Sequence, residues 1–251
     1  MIGTIAKHES ASIARSLQSW VIAALLALLF GFLFLRQLEA FIAVQATLAR
    51  QDHPVGLTGF MSVRYLEPLA LAFTFIAPLF AMRSFSDEFR QQTFVLWQSS
   101  PVKISSVVIG KFLGLMLVQL LLIVLAIAFL ACMNIFVAVD LPVLFSAFIG
   151  LLLVTAACTA AGMYFSSLTR HAMIAIVATL ALLLLLWLLG SASLGNSGLI
   201  TSLKFIAIPT HLHGFFQGFI GTRDVAYFIL FIVLFLVLTM IRLDALRHTG
   251  R

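Results

Sequence analysis

The chain has 251 residues, 63% of them hydrophobic and only 10% charged, with a formal net charge of +6. A soluble domain is about half apolar and a quarter charged, so this composition excludes a water-soluble globule and requires apolar surface that faces lipid. The basic balance comes without an arginine-and-aromatic module for reading bases, which excludes a nucleic-acid partner, and Cys132 and Cys158 sit in apolar runs without CxxC spacing, which excludes a cysteine metal or redox motif.

Residues 1–19 carry Lys7, His8, Glu9 and Arg15 ahead of the first apolar run, 16–35. That run is longer than a signal-peptide core and has no small-x-small cleavage site, so it predicts a retained first span. Residues 36–64 read as a polar outer segment with His53-Pro54, Gly56 and Gly59. The second span starts near Tyr65, with Glu67 at the interface, and ends at Met82; Pro78 is placed to kink it. A cytoplasmic segment covers 83–111. The third span is 112–139 and the fourth 141–169, with Asp140 and Pro142 marking the turn. The fifth span is 171–190, residues 191–223 form a second outer segment, and the sixth span is 225–241. Lipid offers no partner to an unpaired backbone group, so the spans must be helices. The alternating segments of a β-barrel are not visible in the sequence.

Orientation follows from charge. With the N-terminus inside, the inner segments hold ten basic residues and the outer ones five (Arg36, Arg50, Arg64, Lys204 and Arg223). Four of the nine acids (Glu9, Asp87, Glu88 and Asp244) are also inside, so the inner side carries the whole net charge of +6. Both termini are therefore expected in the cytoplasm, with Trp20 and Trp187 near the interfaces. The expected fold is an all-α membrane protein of six transmembrane helices. Residues 191–223 are too interrupted to span, and a seventh span would put the C-terminal arginines outside. They read as a re-entrant or interfacial outer element.

The cytoplasmic text RSFSDEFRQQTFVLWQSSPVKISSVVIGK is the most informative. Ser84 with Asp87 three residues on resembles a capping box, and Glu88 adds a second acid. Phe85, Phe89, Leu96 and Trp97 recur at helical spacing, Asp87, Arg90 and Gln91 fall on other faces, and Pro101 ends the unit. Two readings stay open on periodicity alone: an interfacial helix that snorkels its charges, or a helix that docks a cytoplasmic partner.

Other features exclude more than they assign. Gly110-Lys111 is followed by Phe112 and lacks the earlier glycine of a P-loop, so no ATPase is expected in this chain. Gly110 and Gly114 read instead as a small-xxx-small pair opening the third span. Polar groups inside spans are few: Gln119, Asn134, Thr155 and Thr159, with Glu67 beside Pro68. They are candidates for a translocation path, although Glu67 reads equally as a solvated interfacial carboxylate. So few charges argue against a proton-coupled carrier and allow a lipidic or amphipathic substrate, or none. Small residues from Thr155 to Gly162 predict a helix–helix seam. His211-x-His213, with His53 on the same side, does not share a helix face, and no metal site is expected. No Ser/His/Asp constellation can be placed at one membrane depth, so no catalytic residue is assigned.

Residues 82–114, MRSFSDEFRQQTFVLWQSSPVKISSVVIGKFLG, resemble the signature loop of ABC-2-type transporter permeases. In that family an RSF-x-E-E-R-x-x-G-T-x-E-L-L-x-x-S-P pattern leads into a GKFL helix start. GLLLVTAACTAAGMYFSSLTRH (150–171) and PTHLHGFFQGFIGTRDVAYF (209–228) are also similar, in matching order, and the gliding-motility-type permease subunits are the branch they resemble. Gln92 stands where the family often has Gly, Val95 where it often has Glu, and Gln98 in a usually apolar run. The resemblance implies one transmembrane domain over 1–251, in a multi-pass subunit of the bacterial inner membrane. It implies pairing with a second permease copy, as homodimer or heterodimer, above two copies of a separate cytoplasmic ABC ATPase that binds ATP and Mg. No cofactor is implied in this chain itself. Residues 1–19 would form an interfacial helix, with Ile2, Ile5, Ile13 and Leu17 apolar against Lys7, Glu9 and Arg15. Residues 83–103 would be the coupling segment, with Ser84, Phe85, Asp87, Glu88, Phe89, Arg90, Thr93 and Trp97 towards the ATPase. The turn at Ser167, Thr169 and Arg170 would be a second cytoplasmic contact, or a plain turn. The alternatives are a mechanical or assembly subunit working with a periplasmic or envelope accessory protein, and a secondary carrier.

Overall fold

The computed structural model describes residues 2–15, 17–48, 57–92, 103–132, 140–191 and 205–249, and among these no strand occurs. The helices are α1 (Ile2–Arg15), α2 (Leu17–Leu48), α3 (Leu57–Ala81), α4 (Arg83–Arg90), α5 (Ile104–Cys132), α6 (Leu141–Leu168), α7 (Ala172–Ser191), α8 (Ile208–Phe216) and α9 (Thr222–Thr249). Six spans among the described residues are long and apolar enough to cross a membrane: α2, α3 continued by α4, α5, α6, α7 and α9. At 1.5 Å per residue the nine residues of α8 reach only about 14 Å, too short for a hydrocarbon core of about 30 Å.

The helix ends depart from the hydropathy reading. α2 has 32 residues, about 48 Å of helix, and α3 begins at Leu57. The segment 36–64 is therefore mostly helix rather than a polar loop, with 49–56 lying outside the described residues. No Gly or Pro follows Leu35 before Pro54, so a helix nucleated in lipid continues past its edge. Phe41 and Phe60, with ring centroids 5.4 Å apart, hold the two extensions together. α5 likewise starts at Ile104, two turns before the apolar run.

α3 and α6 form the centre. In each, 56% of the span window is buried, against 6% in α2 and 17% in α9. Ala156, Ala157, Cys158, Ala160, Ala161 and Gly162 of α6 are all buried, Gly162 against α3 and Ala160 and Ala161 beside Phe235 of α9. A Cβ on Gly162 would stand 2.7 Å from the Ala81 Cβ. Helices in lipid gain little from hydrophobic burial and associate through such close approach. Tyr65 and Phe73 of α3, Leu151 and Val154 of α6, Phe30 of α2 and Ile123 of α5 complete the core. Trp20, Leu25, Leu28, Leu121, Val177 and Leu230 stay exposed, as lipid-facing residues should.

A second cluster closes one end of the bundle. Ala81, Phe85, Val108, Leu115, Met163 and Leu243 pack together, with Ile13 and Phe89 against them. It joins α1, α4, the start of α5 and the ends of α6 and α9, so α1 and the last turns of α9 lie at the end that carries α4. α8 and the start of α9 lie at the opposite end.

Candidate functional site

α4 is not a fresh helix start. Its N-cap, Met82, is itself helical (φ −58°, ψ −30°) and makes no side-chain cap. The capping box expected at Ser84 does not form, and Ser84 Oγ has no hydrogen-bond partner among the described residues. The freed backbone groups are met from α6 instead. Ser166 Oγ accepts from the Phe85 and Ser86 N–H groups, both at 3.1 Å, and donates to the Met82 carbonyl at 2.8 Å. One hydroxyl thus gives a partner to the Phe85 and Ser86 N–H groups at the break and shares the Met82 carbonyl with the Ser86 hydroxyl.

The faces of α4 are sharply divided. Ser84, Phe85 and Ser86 point into the body. Phe85 is completely buried, so it anchors α4 to α5 and α6 and offers no docking surface, contrary to its place on the expected contact face. Phe89 is half-buried on the same cluster. The outward edge is Arg83, Arg90, Gln91 and Gln92, with Arg90 lying 3.7 Å from half-buried Asp87. The helix closes with the Gln91 N–H donating to the Asp87 carbonyl at 2.9 Å. Gln92 then takes φ +57°, a left-handed conformation natural to the glycine that the resembling pattern has there.

The electrostatic centre of this end is Lys111, which by sequence stands at the end of the cytoplasmic segment and in an incomplete P-loop match. Its side chain is 6% exposed, and its ammonium lies 2.9 Å from Glu88, 3.7 Å from Glu9 and 2.8 Å from the Ser84 carbonyl. It also sits 5.3 Å from the Phe85 ring centroid. A buried ammonium is tolerated only where its charge is paired and its donors have acceptors. Two acceptors of α4 lie within hydrogen-bond distance of the ammonium, and the Glu9 carboxylate of α1 adds a second counter-charge. Lys111 therefore ties the N-terminal helix and α4 to the third span.

Glu9 is a correction to the helical wheel of α1. It belongs to the polar set there, yet it turns inward, because Lys111 needs an anion and Gly114 leaves room. A Cβ on Gly114 would meet the Glu9 Cβ at 2.7 Å, and one on Gly110 would meet the Ile5 Cβ at 2.9 Å. The small-xxx-small pair that opens α5 therefore seats α1 and not another span.

The remaining candidates fall elsewhere. Ser167 is buried and donates to the Tyr164 carbonyl, Thr169 accepts from the His171 N–H at 3.1 Å, and Arg170 is exposed. Gln119, Thr155 and Thr159 are fully buried. The Thr159 hydroxyl lies 2.7 Å from both Gln119 Oε1 and the Thr155 carbonyl, bridging α5 and α6. Within one subunit they line no open path. Glu67 is at the opposite end of the molecule, 3.1 Å from His213, whose other ring nitrogen is 2.8 Å from Gln217. Thr93, Trp97 and Asn134 lie outside the described residues, as do Leu96, Pro101 and most of 191–204.

That opposite end is more organised than its sequence announces. His211, 2% exposed, has Nδ1 2.6 Å from Asp224 and Nε2 2.8 Å from the Phe205 carbonyl. Tyr227 stacks on it with centroids 4.1 Å apart and donates to the Ile206 carbonyl at 2.6 Å. A Cβ on Gly150 would stand 2.8 Å from Phe215, so α8 is pressed directly onto α6. Among the described residues no cluster of three metal-binding side chains occurs.

Sequence reasoning missed Lys111, Glu9, Ser166 and the His211–Asp224 pair. A lysine at the foot of an apolar helix, with acids on both preceding amphipathic stretches, was the available signal for the first two. Nothing local marks Ser166 or Asp224. In comparison with known proteins, a family model described as ABC-2 family transporter protein matches residues 3–245. No curated protein matches the chain.

Proposed function

The chain belongs to the ABC-2 family of transporter proteins and is a membrane permease of an ABC transporter, and from this premise we infer that α4 and the residues following it are the handle by which a separate cytoplasmic ATPase moves the spans. The observation that carries this reading is the way α4 is mounted. It extends one of the two most buried spans, its inner face is fixed by Phe85, Ser166 and Lys111, and its outer edge is charged. A push on Asp87, Arg90 and the segment up to Lys103 would reach α3 directly, α6 through Ser166 and α5 through Lys111.

In this reading the α4 end is cytoplasmic, both termini lie there, and the membrane is the bacterial inner membrane. The ten-to-five bias of basic residues supports that orientation. ATP and Mg belong to the ATPase, present in two copies, and this chain performs no hydrolysis. A second permease copy completes the unit. Because Gln119, Thr155 and Thr159 are sealed inside one subunit, the path for an exported substrate lies between the two copies. The gliding-motility-type resemblance and the divided faces of α4 agree with this division of labour without identifying the substrate.

Co-expression with the ATPase tests the reading. Asp87→Ala with Arg90→Ala should leave the permease folded, since Arg90 is exposed and Asp87 is only half-buried, yet reduce ATPase co-purification and ATP turnover several-fold. Unchanged assembly and turnover would remove α4 as the handle.

A further inference from the structure

Beneath the elbow between α1 and α2 lies a cavity of about 320 Å³, within the size range of ligand pockets, roughly 300–1,000 Å³. Its walls are apolar: Trp20 and Ala23 of α2, Phe80 of α3 and Leu121 of α5. Lys7 and Ser10 of α1 supply its polar edge. Trp20 and Leu121 are 63% and 66% exposed, on surfaces that face lipid, so the cavity is open to the bilayer. Whatever fills it enters from the membrane and needs a long apolar part.

The edge specifies the other part. Lys7 is exposed, and among the described residues it makes no ion pair. Its acidic neighbour Glu9 is turned away to Lys111. The Ser10 hydroxyl donates to the Lys7 carbonyl at 3.1 Å and keeps acceptor capacity. An uncompensated ammonium beside an apolar slot, at the depth of an interfacial helix, matches an anionic headgroup above an acyl chain.

We propose that this cavity binds one anionic glycerophospholipid of the leaflet on the α1 side, with its phosphate at Lys7 and an acyl chain between Trp20, Phe80 and Leu121. The lipid braces α1 from the side opposite Gly110 and Gly114. Through Glu9 and Lys111 it thereby supports the mounting of α4. The site depends on the chain being a membrane protein and not on what is transported.

Native mass spectrometry of the intact permease, purified with equal phosphatidylglycerol and phosphatidylcholine, reads the site directly. One phosphatidylglycerol should be retained in preference to phosphatidylcholine. Lys7→Gln should reduce that retention roughly fivefold, the worth of one lysine against an anionic headgroup. Ala23→Phe, which fills the slot but keeps Lys7, should displace both lipids. Glycerol 3-phosphate, which has the headgroup charge and no chain, should not compete. Equal retention of the two lipids, unchanged retention in Lys7→Gln and Ala23→Phe, or displacement by glycerol 3-phosphate would overturn the proposal. The readout is lipid mass, so its failure is distinct from loss of ATPase coupling.

Discussion

Replacing Lys111 with methionine removes the cation that two carboxylates share. The ion pairs at 2.9 and 3.7 Å are each worth roughly 4–6 kcal/mol before desolvation at an effective dielectric of about 20. Desolvating Lys111, 6% exposed, offsets most of that gain. Glu88 and Glu9 keep 18% and 22% exposure, so water screens part of the charge left behind. The net loss in Lys111→Met is therefore about 2–4 kcal/mol, at and below the lower end of the range of about 3–5 kcal/mol for breaking a fully buried pair. At about 2–4 °C per kcal/mol for a chain of this size, the unfolding temperature followed by tryptophan fluorescence should drop by about 4–16 °C. The diagnostic variant carries Lys111→Met, Glu9→Gln and Glu88→Gln together. With no charge left to bury it should regain most of the lost stability, while ATP turnover of the assembled complex stays impaired because α4 keeps only its apolar contact with α5 through the Phe85 cluster. A triple variant less stable than Lys111→Met, or a single variant with both stability and turnover unchanged, would refute the reasoning.

Ser166→Ala leaves two buried N–H groups of the α3–α4 break without their side-chain partner; a loss of about 1–3 kcal/mol should appear as faster hydrogen exchange at Phe85 and Ser86. Gly114→Val drives a side chain into the position of Glu9, so a spin-label distance between α1 and α5 should lengthen, whereas Gly3→Val, where nothing lies within 4 Å, should leave it unchanged. Gln92→Gly relieves a left-handed residue at φ +57° and should stabilise the protein by about 1 kcal/mol, while Gln92→Val, β-branched in the same conformation, should lower the unfolding temperature.

The six spans were legible because lipid imposes a simple rule on sequence: about 20 apolar residues, all helical. The seam at 155–162 was legible too, since small residues in a span have little use except close approach. Helix ends were not, because hydropathy stops at the first charge and a helix does not. Lys111 shows why: a charge near the end of an apolar run reads as a boundary, yet here it is internal, made tolerable by Glu88 and Glu9 from two other elements. Phe85 shows the converse. Helical periodicity identified its face correctly as apolar but could not say whether protein or a partner covers it. Ser166 lies 80 residues beyond the N–H group of Ser86 that it accepts, a separation no local pattern encodes.

Position-specific photo-crosslinking in the assembled complex tests most directly whether α4 is the handle. A crosslinker at position 90, on the exposed edge, should capture the ATPase subunit. One at position 85, buried against Val108 and Met163, should capture only its own chain, and one at position 213, at the far end, should also miss the ATPase. Capture of the ATPase from position 213, or its absence at position 90, would contradict the assignment of α4 as the element on which the ATPase acts.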